Sequence, residues 1–84
     1  MGRNVTVLYF ASVRELAGTS EVRLTLSDDI RTVADLSAHL ERIAVGLAGR
    51  LVSVRFAINE TFVSTDAPIA DGDVVAVIPP VSGG

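Results

Sequence analysis

Alternating apolar and polar residues predict short β-strands along most of the chain. From Glu21 to Leu26 the alternation is strict, which is typical of a strand with one buried face. Val5 to Ala11 is apolar on both faces, so we expect a strand that is either covered on both sides or keeps one face for a partner. Further strands are predicted at Leu51–Asn59, at Thr61–Val63 and, buried, at Val74–Ile78.

The middle of the chain follows a helical period instead. Apolar residues spaced by three or four positions form one stripe, which predicts an amphipathic helix from Val33 to about Ala44. Its members are Val33, Leu36, Leu40, Ile43 and Leu47. Thr32 and Asp35 resemble a capping box at its start. A shorter helical turn is predicted over residues 12–17, with Ser12 as N-cap and Gly18 as the C-terminal stop.

The order of these elements is strand, strand, helix, strand, short strand, strand. With the last strand beside the first, it predicts an α+β fold of the β-grasp (ubiquitin-like) type, in which a mixed sheet of about five strands packs on one main helix. We assign residues 1–78 to this domain and residues 79–84 to an extended tail. One helix covers only one face of the sheet, so Leu8, Phe10 or a neighbouring apolar residue is expected to stay accessible as part of a docking surface.

Composition narrows the chemistry that the chain itself supplies. Among 84 residues there is no cysteine, so neither a disulfide nor a thiolate nucleophile is available. The net charge of −3 argues against nucleic-acid binding. No apolar run approaches the roughly 20 residues that cross a membrane. We expect a cytoplasmic domain with no intrinsic cofactor or metal.

The C-terminal residues form the most unusual stretch. Pro79 and Pro80 end the last strand and favour an extended polyproline II path. Gly83 and Gly84 then make an end narrow enough to enter another protein's active site. The reactive group at that end is the Gly84 carboxylate, which needs activation, for example as an acyl-adenylate. A linker remnant or a chance pair of glycines is the alternative.

Several segments resemble the small subunit of molybdopterin synthase, the MoaD family. The similar segments are residues 9–11, 13–18, 57–61, 68–69, 71–76 and, most specifically, Ile78-Pro79-Pro80-Val81-Ser82-Gly83-Gly84. The family often has phenylalanine before the two prolines, where this chain has Ile78.

The resemblance implies a sulfur carrier. An E1-like activating enzyme would use ATP to adenylate Gly84, and a sulfur donor would convert it to a thiocarboxylate. The large synthase subunit, in an expected heterotetramer, would then accept the tail, and sulfur would pass to a cyclic pyranopterin during molybdenum cofactor biosynthesis. Gly84 and Gly83 would serve the chemistry, with acid and base groups on the large subunit. Partner contacts are expected from Phe10, Arg14, Ile78, Pro79, Pro80, Val81 and Ser82.

Three other functions stay open on the sequence alone. A thiamin-pathway sulfur carrier would share the fold and the Gly-Gly end, although Arg14-Glu15-Leu16 and Pro79-Pro80-Val81 favour the molybdopterin pathway. A ubiquitin-like protein modifier or a non-catalytic interaction module would also fit.

Overall fold

The computed structural model describes residues 2–80 and contains a single mixed sheet in the order β2-β1-β5-β3-β4. The elements are β1 (Arg3–Tyr9), α1 (Ala11–Ala17), β2 (Glu21–Leu26), α2 (Val33–Ile43), a 3₁₀ helix (Val45–Leu47), β3 (Arg55–Ile58), β4 (Thr61–Val63) and β5 (Val74–Ile78). β1 pairs parallel with β5, and the other neighbouring strands are antiparallel. The predicted β-grasp architecture is confirmed.

The core lies between α2 and one face of the sheet. Val7 from β1 and Val75 and Val77 from β5 are fully buried there, together with Leu36 and Leu40 from α2. Within the described residues the core holds no buried polar or charged side chain. The domain is therefore stabilised mainly by apolar burial.

The start of α2 is fixed by the predicted capping box. The Thr32 hydroxyl accepts from the Asp35 backbone N–H at 3.2 Å, and the Asp35 carboxylate accepts from the Thr32 N–H at 3.2 Å. The Arg31 N–H also donates to that carboxylate, at 3.0 Å. These backbone donors, with Arg31 the largest contribution, lower the pKa of Asp35 from its ordinary value of 3.8.

The end of α2 differs from the prediction. Ile43, assigned to the core stripe, is the last helical residue and is 48% exposed. The chain leaves the helix at Ala44, and the 3₁₀ helix then buries Leu47. A Cβ on Gly46 would lie 2.0 Å from the Leu16 carbonyl oxygen, so this glycine lets the 3₁₀ helix pack directly on α1.

Three predicted boundaries are wrong. The first strand covers Arg3–Tyr9 instead of Val5–Ala11, because Ala11 already begins α1. Ser12 is not an N-cap, because α1 begins at Ala11, and its cap residue Phe10 makes no side-chain hydrogen bond. The third strand starts at Arg55 rather than Leu51. Gly49 turns the chain with a φ of 73°, and Leu51 is then buried from the irregular segment after this turn instead of from a strand. The Gly18 stop is confirmed, since its left-handed backbone donates to the Arg14 carbonyl.

The different burial of two α2 residues predicts different costs of truncation. Leu40→Ala should lower the free energy of unfolding by about 2–5 kcal/mol, because it leaves a cavity in a fully buried position. Ile43→Ala should cost about 1 kcal/mol or less, as expected near a surface. Urea unfolding measures both. Equal losses would show that Ile43 belongs to the core after all.

The capping box predicts a pH-dependent stability. The folded-state pKa of Asp35 is lowered. The charged carboxylate therefore makes its full contribution to the free energy of unfolding above the unfolded-state pKa of about 3.9. This contribution is lost as the pH falls through the folded-state value. Asp35→Asn should therefore lower the melting temperature at pH 7, and this deficit should shrink below about pH 4. Asp28→Asn, which removes an exposed carboxylate from the same loop, is the control. An Asp35→Asn deficit that persists or grows in acid would refute the charge-based account of the cap.

Candidate functional site

The sheet face opposite α2 is open and largely apolar. Because side chains alternate along each strand, the residues between the core positions point to this side, although the small Ala57 among them is only 5% exposed. The strand register places Leu8, Ala76, Ala57 and Phe62 side by side across four strands. Phe62 is 55% exposed. Such a surface is typical of a protein–protein contact, and we call the set Leu8, Phe10, Ala57, Phe62, Val74, Ala76 and Ile78 the open face.

Phe10 lies at one end of the open face. Its backbone is extended, with φ −117° and ψ 148°, so the alternation of β1 continues through it and its side chain leaves the core side. It is 44% exposed, and the predicted accessibility of Phe10 is confirmed. Leu8 is half-buried.

Ala11 explains how α1 follows directly on this residue. Its φ is +49°, a left-handed conformation that costs about 1–3 kcal/mol for a side chain other than glycine. The turn lets the Val13 and Arg14 N–H groups donate to the Phe10 carbonyl at 3.0 and 3.4 Å. The exposed Arg14 thus stands one helical turn after Phe10.

Parallel pairing brings the predicted partner residues together at one end of the sheet. Tyr9 is in register with Val77, and the Phe10 N–H donates to the Val77 carbonyl at 3.3 Å. Phe10 is therefore beside the point where Ile78 ends β5. Ile78 and Pro79 are half-buried, and Pro80 is exposed. Val81, Ser82, Gly83 and Gly84 lie outside the described residues, so their roles, and the division of the chain at residue 78, stay predictions.

Arginine side chains flank this end of the open face. Arg55 is in register with Ile78, and its guanidinium lies 4.4 Å from the centre of the Phe62 ring, a cation–π contact. Arg55 and Arg14 of α1 together form a positively charged rim at the end of the sheet where β5 ends. The sequence pattern did not reveal Arg55 or Phe62 as site residues, although the alternation in β3 and β4 carried that signal.

The other end of the open face is formed by the hairpin turn between β3 and β4. Asn59 and Glu60 have φ values of 50° and 73°. The Asn59 side chain accepts from the Val74 N–H at 2.9 Å and donates to the Asp73 carboxylate at 3.0 Å. An open depression of about 330 Å³ lies here, lined by Leu8, Asn59, Glu60 and Val74.

The described residues offer little acid–base or metal chemistry of their own. Tyr9 faces the core, and burial raises the pKa of its phenol. Between residues 2 and 80 no three histidine, cysteine or carboxylate side chains come together as a metal site would require. None of the helices in this part of the chain has the length and apolar character to span a bilayer. What these residues offer is an exposed apolar surface beside the point where β5 ends at Ile78.

Comparison with known proteins identifies a family. The sequence pattern of the ThiS family matches residues 7–84. The molybdopterin synthase sulfur carrier subunit of Escherichia coli is 44% identical over 95% of this chain and 99% of its own length. Small archaeal modifier protein 3 of Haloferax volcanii is 37% identical over 90% of this chain and 94% of its own.

Solved structures agree. Subunit 1 of a molybdopterin converting factor from Pyrococcus furiosus superposes with a TM-score of 0.82 at 35% identity, over 94% of this chain and 99% of the other. A Helicobacter pylori protein, solved in a complex of subunits 1 and 2 of the molybdopterin-converting factor, has the same fold, with a TM-score of 0.68 at 24% identity over 96% and 99% of the two chains. The sequence match runs from β1 to the Gly-Gly end, and the chain belongs to the ThiS family, among the molybdopterin synthase sulfur carrier subunits.

Proposed function

We propose that this chain carries sulfur on the Gly84 carboxylate for a molybdopterin synthase. The observation that supports it most is the parallel pairing of β1 with β5, which sets Phe10 and the open face beside the end of Ile78. A partner that binds the open face would hold the following residues near its own active site. Membership of the family supplies the pathway.

The chemistry of such a carrier begins with an inert carboxylate. A carboxylate oxygen of Gly84 attacks the α-phosphorus of ATP on an activating enzyme, which releases pyrophosphate and forms the acyl-adenylate. Hydrosulfide released by a sulfur donor then attacks the carbonyl carbon and displaces AMP, so that the terminus becomes a thiocarboxylate. In this scheme the carrier contributes an accessible terminus and a docking surface, while the activating enzyme supplies the site for ATP.

Transfer then requires a second partner, the large subunit of the synthase. The thiocarboxylate sulfur bonds to an electrophilic carbon of the cyclic pyranopterin as an oxygen substituent leaves that carbon. Water then cleaves the acyl–sulfur bond, which leaves the sulfur on the pterin and regenerates the carboxylate. Two rounds provide the two sulfurs of a dithiolene. General acids and bases come from the large subunit, because the described residues hold no convergent set.

Protein tagging is a second candidate, favoured by the similarity to small archaeal modifier protein 3. Both functions begin with the same activated terminus and differ in what attacks it. A sulfur nucleophile gives a thiocarboxylate, whereas a lysine amine gives an isopeptide. The identity of the product therefore separates them.

Activation at Gly84 predicts a defined change in mass. Incubation with the activating enzyme, ATP and a sulfur donor should replace one oxygen by sulfur, a gain of about 16 Da at the C-terminus. Intact-mass measurement with C-terminal peptide mapping tests it, and an authentic carrier of the family run in parallel shows that the enzymes are active. Conversion of the control without conversion of this chain would refute the proposal, and isopeptides without thiocarboxylate would favour tagging.

The open face and the tail should divide binding from chemistry. A standard interface buries roughly 800 Å² on each partner, which is more than the short tail offers. Phe10→Glu should weaken binding to the large subunit about tenfold or more, because a charge replaces an apolar contact, while the fold stays intact at this exposed position. Deleting Gly83 and Gly84 should abolish sulfur transfer and preserve much of the affinity. Calorimetric titration and a transfer assay measure the two effects.

Ile43→Glu is the matched control for the surface charge. Ile43 is 48% exposed, close to the 44% of Phe10, but it lies at the end of α2 on the other side of the sheet. The Ile43→Glu substitution should therefore leave the affinity for the large subunit unchanged. If tail deletion removes nearly all affinity and Phe10→Glu removes none, the tail itself is the main docking element and the proposed division is wrong.

A further inference from the structure

Glu60 occupies a backbone position that suits glycine. It is the second residue of the two-residue turn between β3 and β4, where both residues have positive φ and Asn-Gly is the preferred pair. Its φ of 73° strains a residue with a long side chain. The turn would form more easily with glycine, so stability of the fold does not account for the carboxylate.

Glu60 is one of four residues that line a largely apolar depression. Leu8 and Val74 of the open face line it together with Asn59 and Glu60, and its volume is about 330 Å³. Glu60 is exposed. Within residues 2–80 it forms no salt bridge, because the salt bridge found there joins Arg23 to Glu21. The depression therefore combines an apolar wall with the charge of Glu60, which has no salt-bridge partner within residues 2–80.

The turn that presents this charge is held in place. The Asn59 N–H donates to the Val74 carbonyl at 2.8 Å, and its side chain bonds both the Val74 N–H and the Asp73 carboxylate. These three bonds tie the turn to the start of β5. Glu60 is consequently presented from a pre-ordered backbone, which lowers the ordering cost of recognition.

The position of Glu60 on the sheet suits its charge to orienting a partner. The depression lies at the Val74 end of β5, whereas the chain leaves the sheet at the Ile78 end. Four residue steps along the strand separate Val74 from Ile78, a distance of about 13 Å. An apolar surface alone fixes the orientation of a partner poorly, and a charge at one end, opposite an arginine rim at the other, excludes the reversed orientation.

We propose that this depression, with Glu60 in its lining, receives an arginine or lysine side chain of the large synthase subunit and thereby fixes the orientation in which the carrier docks. The aliphatic stem of the cation lies against Leu8 and Val74, and its charged head pairs with the Glu60 carboxylate. The inference rests on the proposed function, because it names a contact within the docking that the function requires.

Calorimetric titration of the full-length carrier into the purified large subunit tests the contact. Glu60→Gln should weaken binding about three- to tenfold, as for a partly exposed charge pair, and Glu60→Arg should weaken it further by repulsion. The gap between the parent and Glu60→Gln should narrow when salt is raised from roughly 50 mM to roughly 500 mM. Asp28→Asn removes a charge from the loop before α2 and should bind as the parent does.

Glu60→Gly separates recognition from folding. It relieves the strained φ, so the melting temperature should rise while affinity falls as it does for Glu60→Gln. A fall in both would show a structural role and overturn the proposal. So would Glu60→Leu binding more tightly than the parent, since the depression would then prefer an apolar group.

Failure of this contact is distinguishable from failure of the proposed function. If the parent binds and Phe10→Glu weakens it while Glu60→Gln matches the parent, docking on the open face stands and the Glu60 contact is refuted. If the parent itself does not bind the large subunit, the proposed function fails first.

Discussion

The parallel pairing of β1 with β5 is the constraint on which the rest of the molecule depends. It joins the beginning and the end of the domain at the centre of the sheet, with β2 on one side and β3 and β4 on the other. Since the two strands run in the same direction, their C-terminal ends share one edge. For that reason alone Phe10 lies next to the point where the chain leaves the sheet. Helix α1 begins at the same end of the sheet.

A second consequence of the sheet is its unequal faces. α2 covers one side and provides a core without buried polar side chains among the described residues. The other side keeps apolar groups such as Phe62 in solvent, at a cost that stability alone would not favour. Arg55 covers part of that ring through its cation–π contact. The domain thus separates a face that stabilises the fold from one that is available for binding.

Local signals in the sequence predicted well, and long-range ones did not. The capping box was predictable because Thr32 and Asp35 satisfy each other within one helical turn. The end of α2 was not, because it depends on the contact of Gly46 with the Leu16 carbonyl, thirty residues away in the chain. Alternation in β1 predicted that Phe10 would be accessible. The meeting of Leu8 with Ala57 and Phe62 depends on register between distant strands, and the strained φ of Glu60 has no signature in a turn whose usual residue is glycine.

The central place of β5 also affects how the protein is made. β5, which completes the middle of the sheet, is the last of the strands to be synthesised. Its pairing with β1 therefore joins residues that lie almost the whole length of the domain apart in sequence. Such non-local pairing is slow to form, and a nascent chain that lacks β5 has no continuous sheet. A chain that stops before residue 74 can form only the β1–β2 and β3–β4 pairs, so the open face is assembled only when β5 has paired with β1 and β3.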